Sequence, residues 1–508
     1  MILPPPVAAR LGPLAEVTDG LLVDLLDRDA VRRLFAADHT LWQDDPTEVA
    51  DRLGWVPVVD EVRADIEALA TRVDLLADGI DHVLVMGMGG SSLFPEVLAR
   101  TFPQASGRPA LHVLDTTHPG ALARVAAECP PERTLYLASS KSGSTIETRS
   151  HLEWAWAAVG GQGRFAVITD GGSELERLAR ERGFAEVFVN RSDIGGRYSA
   201  LSLFGIVPAL LAGVDAEAIL LGGRHALDAC GPDVEPADNV ALVLAAAMAA
   251  GASVGRDKLT FELPPEVATL GLWLEQLVAE SLGKDGTGLI PVVGEAPGAL
   301  DVYGDDRLFV VTDPASDHAE VLAAAGHPVV ALPLGTDASA IGWAVVVAEL
   351  ATALAGAAIG IQPFDQPDVA AAKAATTAVL ERGGASVEAT DPDDLLALVE
   401  KGDHLALQAF VDPGGPTAAR LEALRTELRD RLGVAVTLGY GPRFLHSTGQ
   451  LHKGGPAAIV CAQVIEDGAP EIAIPDRDFG FGHLLAAQAA GDLDALRDRD
   501  RRAARVAL

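Results

Sequence analysis

What this 508-residue chain has little of narrows its reading before any motif is considered. It has only three cysteines, Cys129, Cys230 and Cys461, with no paired spacing, which argues against a disulfide framework and against a zinc site. Basic residues are scarce: 39 Lys and Arg stand against 72 Asp and Glu, a formal charge of −33. Such a surface repels nucleic acid and anionic membranes, so neither is an expected partner. No G-x-x-x-x-G-K-[ST] run occurs, and the G-M-G-G-S-S run at 87–92 lacks the third spaced glycine of a dinucleotide fingerprint. The opening MILPPPVAAR has no basic region leading into an apolar run, so no secretion signal is expected. One apolar stretch, 341–361, is long enough to span a bilayer, but Ala and Gly dominate it and Glu349 interrupts it. It reads as a buried helix of a cytoplasmic protein.

Apolar residues make up 49% of the chain and charged residues 22%, a globular balance with room for about three domains. Residues 1–75 read as a helical segment. From Asp81 onward strands and helices alternate, with strands at 82–87, 111–115, 135–138, 165–169 and 187–190. A second alternating unit has strands at 258–263, 288–293, 307–312 and 329–334, then the long apolar helix. The expected fold class is α/β: two tandem doubly wound parallel sheets, in domains 76–230 and 231–385, with ligands at the carboxyl ends of the strands. Residues 386–508 form a C-terminal α/β region with a helix near 415–432, a polar loop at 439–456 and a strand at 457–465.

The chemistry-bearing stretches follow the strands. LYLASSKSGSTIETRS at 135–150 is a strand, a turn packed with Ser140, Ser142, Ser144 and Thr145, then a helix start. The N–H groups of a first helical turn and the surrounding hydroxyls suit an anion such as phosphate. Gly87 to Ser92 is a second hydroxyl-bearing turn on the same expected sheet edge. Gly195-Gly196 precede Arg197, so the backbone can approach a ligand while a fixed charge projects beside it; a turn whose arginine pairs with Asp193 is the simpler alternative. Gln276, Glu280 and Lys284 share one helical stripe, as a carboxylate base with a polar neighbour or as an ordinary exposed Glu–Lys pair. Lys373 follows a helix start at Asp365. GYGPRFLHSTGQLHKGGP at 439–456 concentrates five glycines, Arg443, His446, His452 and Lys453. It reads as a lid or acid–base element over an anionic substrate, and not as a metal site.

Taken together, GMGGSS (87–92), SKSGSTIET (140–148), GGRYS (195–199), LEQLVAESLGK (274–284) and FDQPDVAAAK (364–373) resemble, in order, the motifs of the phosphoglucose isomerase family, with its two sugar isomerase (SIS) domains. The 439–456 segment is similar to the isomerase half of bacterial transaldolase–phosphoglucose isomerase fusions. The resemblance implies a metal-independent, cofactor-free interconversion of glucose 6-phosphate and fructose 6-phosphate through a cis-enediol. It implies Glu280 as the isomerisation base, Arg197 as stabiliser of the enediolate and Lys373 in ring opening. Gly90, Ser91, Ser140, Lys141, Ser142, Ser144 and Thr145 would hold the sugar phosphate, with Gln276 and Gln366 contacting substrate. Alternatives within the same resemblance are a dual phosphoglucose/phosphomannose isomerase and a non-catalytic phosphosugar-binding protein.

One departure stands out. The family's catalytic histidine lies between the Glu and Lys motifs, and VVGEAPGALDVYG at 292–304 resembles the approach to it but contains no histidine. The histidine segment HSTGQL comes instead after Lys373, so the role passes to His446, with His452 as alternate. A homodimer is the expected assembly, because in the family a partner subunit commonly completes the site.

Overall fold

The computed structural model describes residues 9–367, 369–382, 387–466 and 470–506, apart from the side chains of 369–373. Four main helices, Ala15–Asp27, Ala30–Phe35, Val58–Ala64 and Ile66–Ala77, precede the first strand. Five parallel strands follow: β1 (His82–Met86), β2 (Ala110–Leu114), β3 (Thr134–Ser139), β4 (Arg164–Asp170) and β5 (Glu186–Asn190). They lie in the order β2-β1-β3-β4-β5. Runs such as Val83-Leu84-Val85-Met86 are buried on both faces, as a sheet sandwiched between helices requires.

A second parallel sheet has the order β7-β6-β8-β9, from β6 (Lys258–Glu262), β7 (Ile290–Val292), β8 (Arg307–Val311) and β9 (Val329–Ala331). A third has the order β11-β10-β12-β13, from β10 (His404–Phe410), β11 (Ala435–Tyr440), β12 (Ile459–Ile465) and β13 (Arg502–Val506). All three sheets share one winding, in which the first strand lies between the second and the third. Such a winding opens a crevice at the carboxyl ends of the first and third strands, where α/β sheets take their ligands. In the first sheet those two ends are Met86 and Ser139, so the crevice is flanked by the two hydroxyl-bearing turns.

Helix starts follow from local capping. The Asn239 side chain accepts from the Leu242 N–H at 3.0 Å, and Asp337 accepts from Ala340 at 2.8 Å. The helix begun at Asp337 runs Ala338–Ile359 and stops at Gly360, whose φ of +83° is the left-handed turn that glycine tolerates. It is the one helix, among the described residues, long and apolar enough to cross a membrane, yet 94% of its apolar window is buried inside the protein. It packs against Val240–Ser253, Ala216–Ala229 and Leu270–Leu282 in one large core. Full burial of core side chains such as Leu274, Leu350 and Leu354 contributes about 2–3 kcal/mol each.

The 439–456 segment departs from the polar loop read from sequence. Residues through Tyr440 complete β11; a short turn, Arg443–His446, and a six-residue helix, Gly449–Gly454, follow. Gln450, His452 and Lys453 are buried. The segment is a plug in the interior and not an open basic lid, because its cations are consumed internally: Arg443 by Asp115 at 2.7 Å and Lys453 by Asp492 at 2.5 Å.

Candidate active site

The first-sheet loops converge closely. Gly87 to Ser92 leaves β1 in a turn where Gly89 has φ +55°. A Cβ on Gly90 would lie 1.9 Å from the Gly196 carbonyl oxygen, so the first glycine turn and the Arg197 turn touch backbone to backbone. A Cβ on Gly89 would meet the His446 carbonyl at 2.6 Å and the Gln276 amide at 2.8 Å. Glycine is needed at both places because a methyl group would push the arginine turn, the Gln276 helix and the histidine segment apart.

After β3, the Ser140 and Thr145 hydroxyls lie 3.1 Å apart, and the Gly143 N–H donates to Ser140 Oγ at 3.2 Å. Gly143 has φ +71°, which folds the turn back so that Ile146–Ala158 starts beside it. Ser91 and Ser140 are buried; Ser142 and Ser144 are exposed and 3.1 Å from each other. Lys141 turns elsewhere: its ammonium is held by Asp170 and by the Ser192 carbonyl at 2.6 Å.

Arg197 and Glu280 meet in the interior. Arg197 is 2% exposed and Glu280 4%, with Nη1 at 3.3 Å from Glu280 Oε2. The rest of the guanidinium is fixed by Ser281 Oγ at 2.9 Å and by the carbonyls of Pro363 at 2.6 Å and Asp365 at 2.9 Å. Asp193 pairs with Arg191 and not with Arg197. Burial pushes the Glu280 carboxyl up, against the pull of Arg197, His446 and Lys284, and the net direction is upward. Gln276 donates both to Glu280 Oε2 at 3.3 Å and to the His446 carbonyl at 2.8 Å. Its own Oε1 is buried without a protein partner, an acceptor that a bound hydroxyl would satisfy.

His446 reaches this centre from the same chain: its carbonyl accepts from Gln276. Its Nε2 lies 2.9 Å from Glu147 Oε1. Glu147, on the helix after the serine turn, also accepts from Gln488 Nε2 at 2.6 Å, and Gln488 in turn accepts from Thr117 at 2.8 Å. Burial raises the Glu147 carboxyl, but His446 and the local backbone outweigh it and hold the group below its usual range. His452 sits apart from Glu147: its Nδ1 accepts from Gln408 at 2.9 Å, and burial beside Lys453 and Arg501 pushes it down to about 3.

Sequence reasoning missed Glu147, Gln488 and the structural use of Lys284. Lys284 Nζ is 2.5 Å from Asp365 Oδ1 and bonds the Gln362 and Asp365 carbonyls at 2.8 and 2.7 Å, fastening the 362–365 loop under Arg197. Burial and the neighbouring Arg197 push its ammonium down to about 8. Gln366 is exposed at the edge of that loop. Lys373 lies on the helix Val369–Glu381, and its side chain is outside the described residues.

Residues 43–293 match the family model for phosphoglucose isomerase. Glucose-6-phosphate isomerase of Rubrobacter xylanophilus is 30% identical over 439 residues, covering 73% of this chain and 97% of that protein. Glucose-6-phosphate isomerase of Thermus thermophilus is 28% identical over 425 residues, with 73% and 96% covered. Among solved structures, a hypothetical protein from Thermus thermophilus superposes with a TM-score of 0.60 at 24% identity, covering 74% of this chain and 99% of the other. A glucose-6-phosphate isomerase from Chlamydia trachomatis gives the same TM-score at 16% identity, with 73% and 86% covered; these two show the shared fold. Five motifs in family order, the doubly wound sheets and a relative covered over nearly its whole length lead to one conclusion: the chain belongs to the phosphoglucose isomerase family.

Proposed function

We propose that this chain interconverts glucose 6-phosphate and fructose 6-phosphate, with Glu280 as the base. The observation that carries this reading is Glu280 itself. It is a buried carboxylate whose two hydrogen bonds both use Oε2, from Arg197 and Gln276, which leaves Oε1 for a substrate carbon. A carboxyl raised by burial is a better proton acceptor than a solvated one, while Arg197 keeps it within reach of ionisation.

In the forward direction the phosphate sits at the Ser140–Thr145 turn, against the N–H groups opening the Ile146–Ala158 helix. It anchors the sugar and takes no part in bond breaking. His446, oriented by Glu147, serves the ring oxygen and the anomeric hydroxyl during opening, with Lys373 proposed from the family resemblance as its counterpart. Glu280 then removes the C2 proton of the open aldose. The electron pair forms the C1–C2 double bond and the carbonyl π electrons move to O1, giving a cis-enediolate beside the Arg197 guanidinium. The O2 hydroxyl proton passes to O1 as O2 becomes the carbonyl, and Glu280 returns to C1 a proton that exchanges in part with solvent, giving the ketose. No oxidant, reductant or metal enters the balance.

The supporting test is a coupled assay of fructose 6-phosphate conversion to glucose 6-phosphate, with mannose 6-phosphate run in parallel. Glu280→Gln is expected to lower kcat by roughly 1,000-fold while leaving the affinity for phosphosugar within a few-fold. Wild-type turnover of neither sugar phosphate would overturn the reading.

A further inference from the structure

A cluster of metal-ligating side chains lies at the opposite end of the first sheet from the substrate loops. His82 opens β1, His112 is in the middle of β2, and Cys129 closes the helix Pro119–Glu128 that crosses from β2 to β3. His82 pairs in register with Ala110, which places His82 and His112 on one face, under that crossing helix. One ring nitrogen from each histidine and the Cys129 sulfur all lie within 4.8 Å of one another.

We propose that His82, His112 and Cys129 form a binding site for a divalent d-block cation, with Zn2+ the ion the donors suit best. Imidazole nitrogen and thiolate sulfur select such an ion over Mg2+ or Ca2+, which take oxygen ligands. The spacing agrees. Two histidine nitrogens on a tetrahedral zinc, each bonded at about 2.0–2.1 Å, sit about 3.3–3.4 Å apart; His82 Nδ1 and His112 Nε2 are 3.1 Å apart. The outer partner is also present. His112 Nδ1 faces Glu128 Oε2 at 3.6 Å, so the ring nitrogen turned away from the cluster has a carboxylate to orient it. Cys129 is 3% exposed and the histidines are half-buried, which leaves an approach from solvent for the ion and a fourth ligand. A net charge of −33 concentrates cations around the protein.

The site has no part in isomerisation: Gly87 begins five residues beyond His82, about 16 Å along the strand. An ion there would staple β1, β2 and the Pro119–Glu128 helix. That helix also carries Arg124, which pairs with Asp412 in the loop after β10. The staple would therefore bear on how the first and third units hold together.

The test is a titration of the purified full chain with Co2+, followed by absorption spectroscopy. One equivalent of Co2+ should produce the thiolate-to-cobalt charge-transfer band and intense tetrahedral d–d bands, and Zn2+ should abolish both. Cys129→Ser should remove the charge-transfer band, and His82→Gln should weaken Co2+ binding at least tenfold. Absence of the bands in the wild-type protein, leaving a His82–His112 hydrogen bond only, would overturn the proposal. So would bands that persist unchanged in both variants.

Discussion

At the residue scale, the proposed reaction separates the groups assigned to substrate from the groups that hold them in place. Arg197 spends its donors on Glu280, Ser281 and two carbonyls, so it is fixed before any substrate arrives. Replacing it with Lys retains charge but not the planar fork; kcat should fall about 100- to 1,000-fold, measured in the coupled assay. Glu147 acts through His446. Glu147→Gln should reduce kcat roughly 10- to 100-fold with KM little changed, because the imidazole loses its orienting carboxylate; an unchanged kcat would remove Glu147 from the account. Sequence reasoning could have found Glu147, since it lies inside the SKSGSTIET motif. What it could not supply was the partner, because His446 is 299 positions away and meets Glu147 only through the fold. The same holds for His82, His112 and Cys129: spacing along the chain argued against zinc, whereas three elements bring the donors together.

At the element scale, the turns decide whether the site exists at all. Gly90 abuts the Gly196 carbonyl at a distance no side chain tolerates, and both atoms are backbone. Gly90→Ala should therefore separate the two turns, lowering activity at least 100-fold and stability by roughly 3 kcal/mol in urea unfolding. The exposed Ser142 and Ser144 predict a different pattern. Their double replacement by Ala should raise KM about tenfold with kcat nearly intact, the signature of lost uniform binding. Strands β1, β3, β4 and β8 were legible because each is a short, mainly apolar run buried on both faces. Strands β10 and β13 were not. His404 and Gln408 interrupt the pattern of β10, and their polarity is met by Thr437 and His452, contacts that exist only after folding. Arg502-Ala503-Ala504-Arg505-Val506 reads as the end of a charged helix, yet it pairs with β12, with Arg505 bonded to Gln463 at 2.8 Å.

At the scale of the whole molecule, three parallel sheets of one winding surround a single centre. The first supplies the proposed anion turn and Arg197, the second the Glu280 helix, and the third unit His446. Because all of these come from one chain, specific activity should not fall on dilution into the range where a dimer would dissociate, a point that sedimentation and assay on the same samples would check. The interior also sets an acid limit. Burial pushes His151 down to about 4 and His452 to about 3, and holds His404 well below its ordinary value. Their folded values lie below the unfolded value near 6.5, so the unfolded chain binds more protons as pH drops. Stability is thus complete above about pH 6.5 and falls below it, by about 1.4 kcal/mol per pH unit for each histidine. Urea midpoints between pH 7 and pH 5 should show this slope, reduced by one histidine's share in His404→Gln.

The most direct test of the central claim is solvent exchange at the reacting carbon. Glucose 6-phosphate would be incubated in D2O with wild-type protein and with Glu280→Gln, and deuterium at C2 followed by NMR. Wild-type protein should both isomerise the sugar and wash deuterium into C2, while Glu280→Gln should do neither at a rate above roughly a thousandth of wild type, even though fructose 6-phosphate still protects it against thermal unfolding. Exchange in Glu280→Gln within tenfold of wild type would contradict Glu280 as the base.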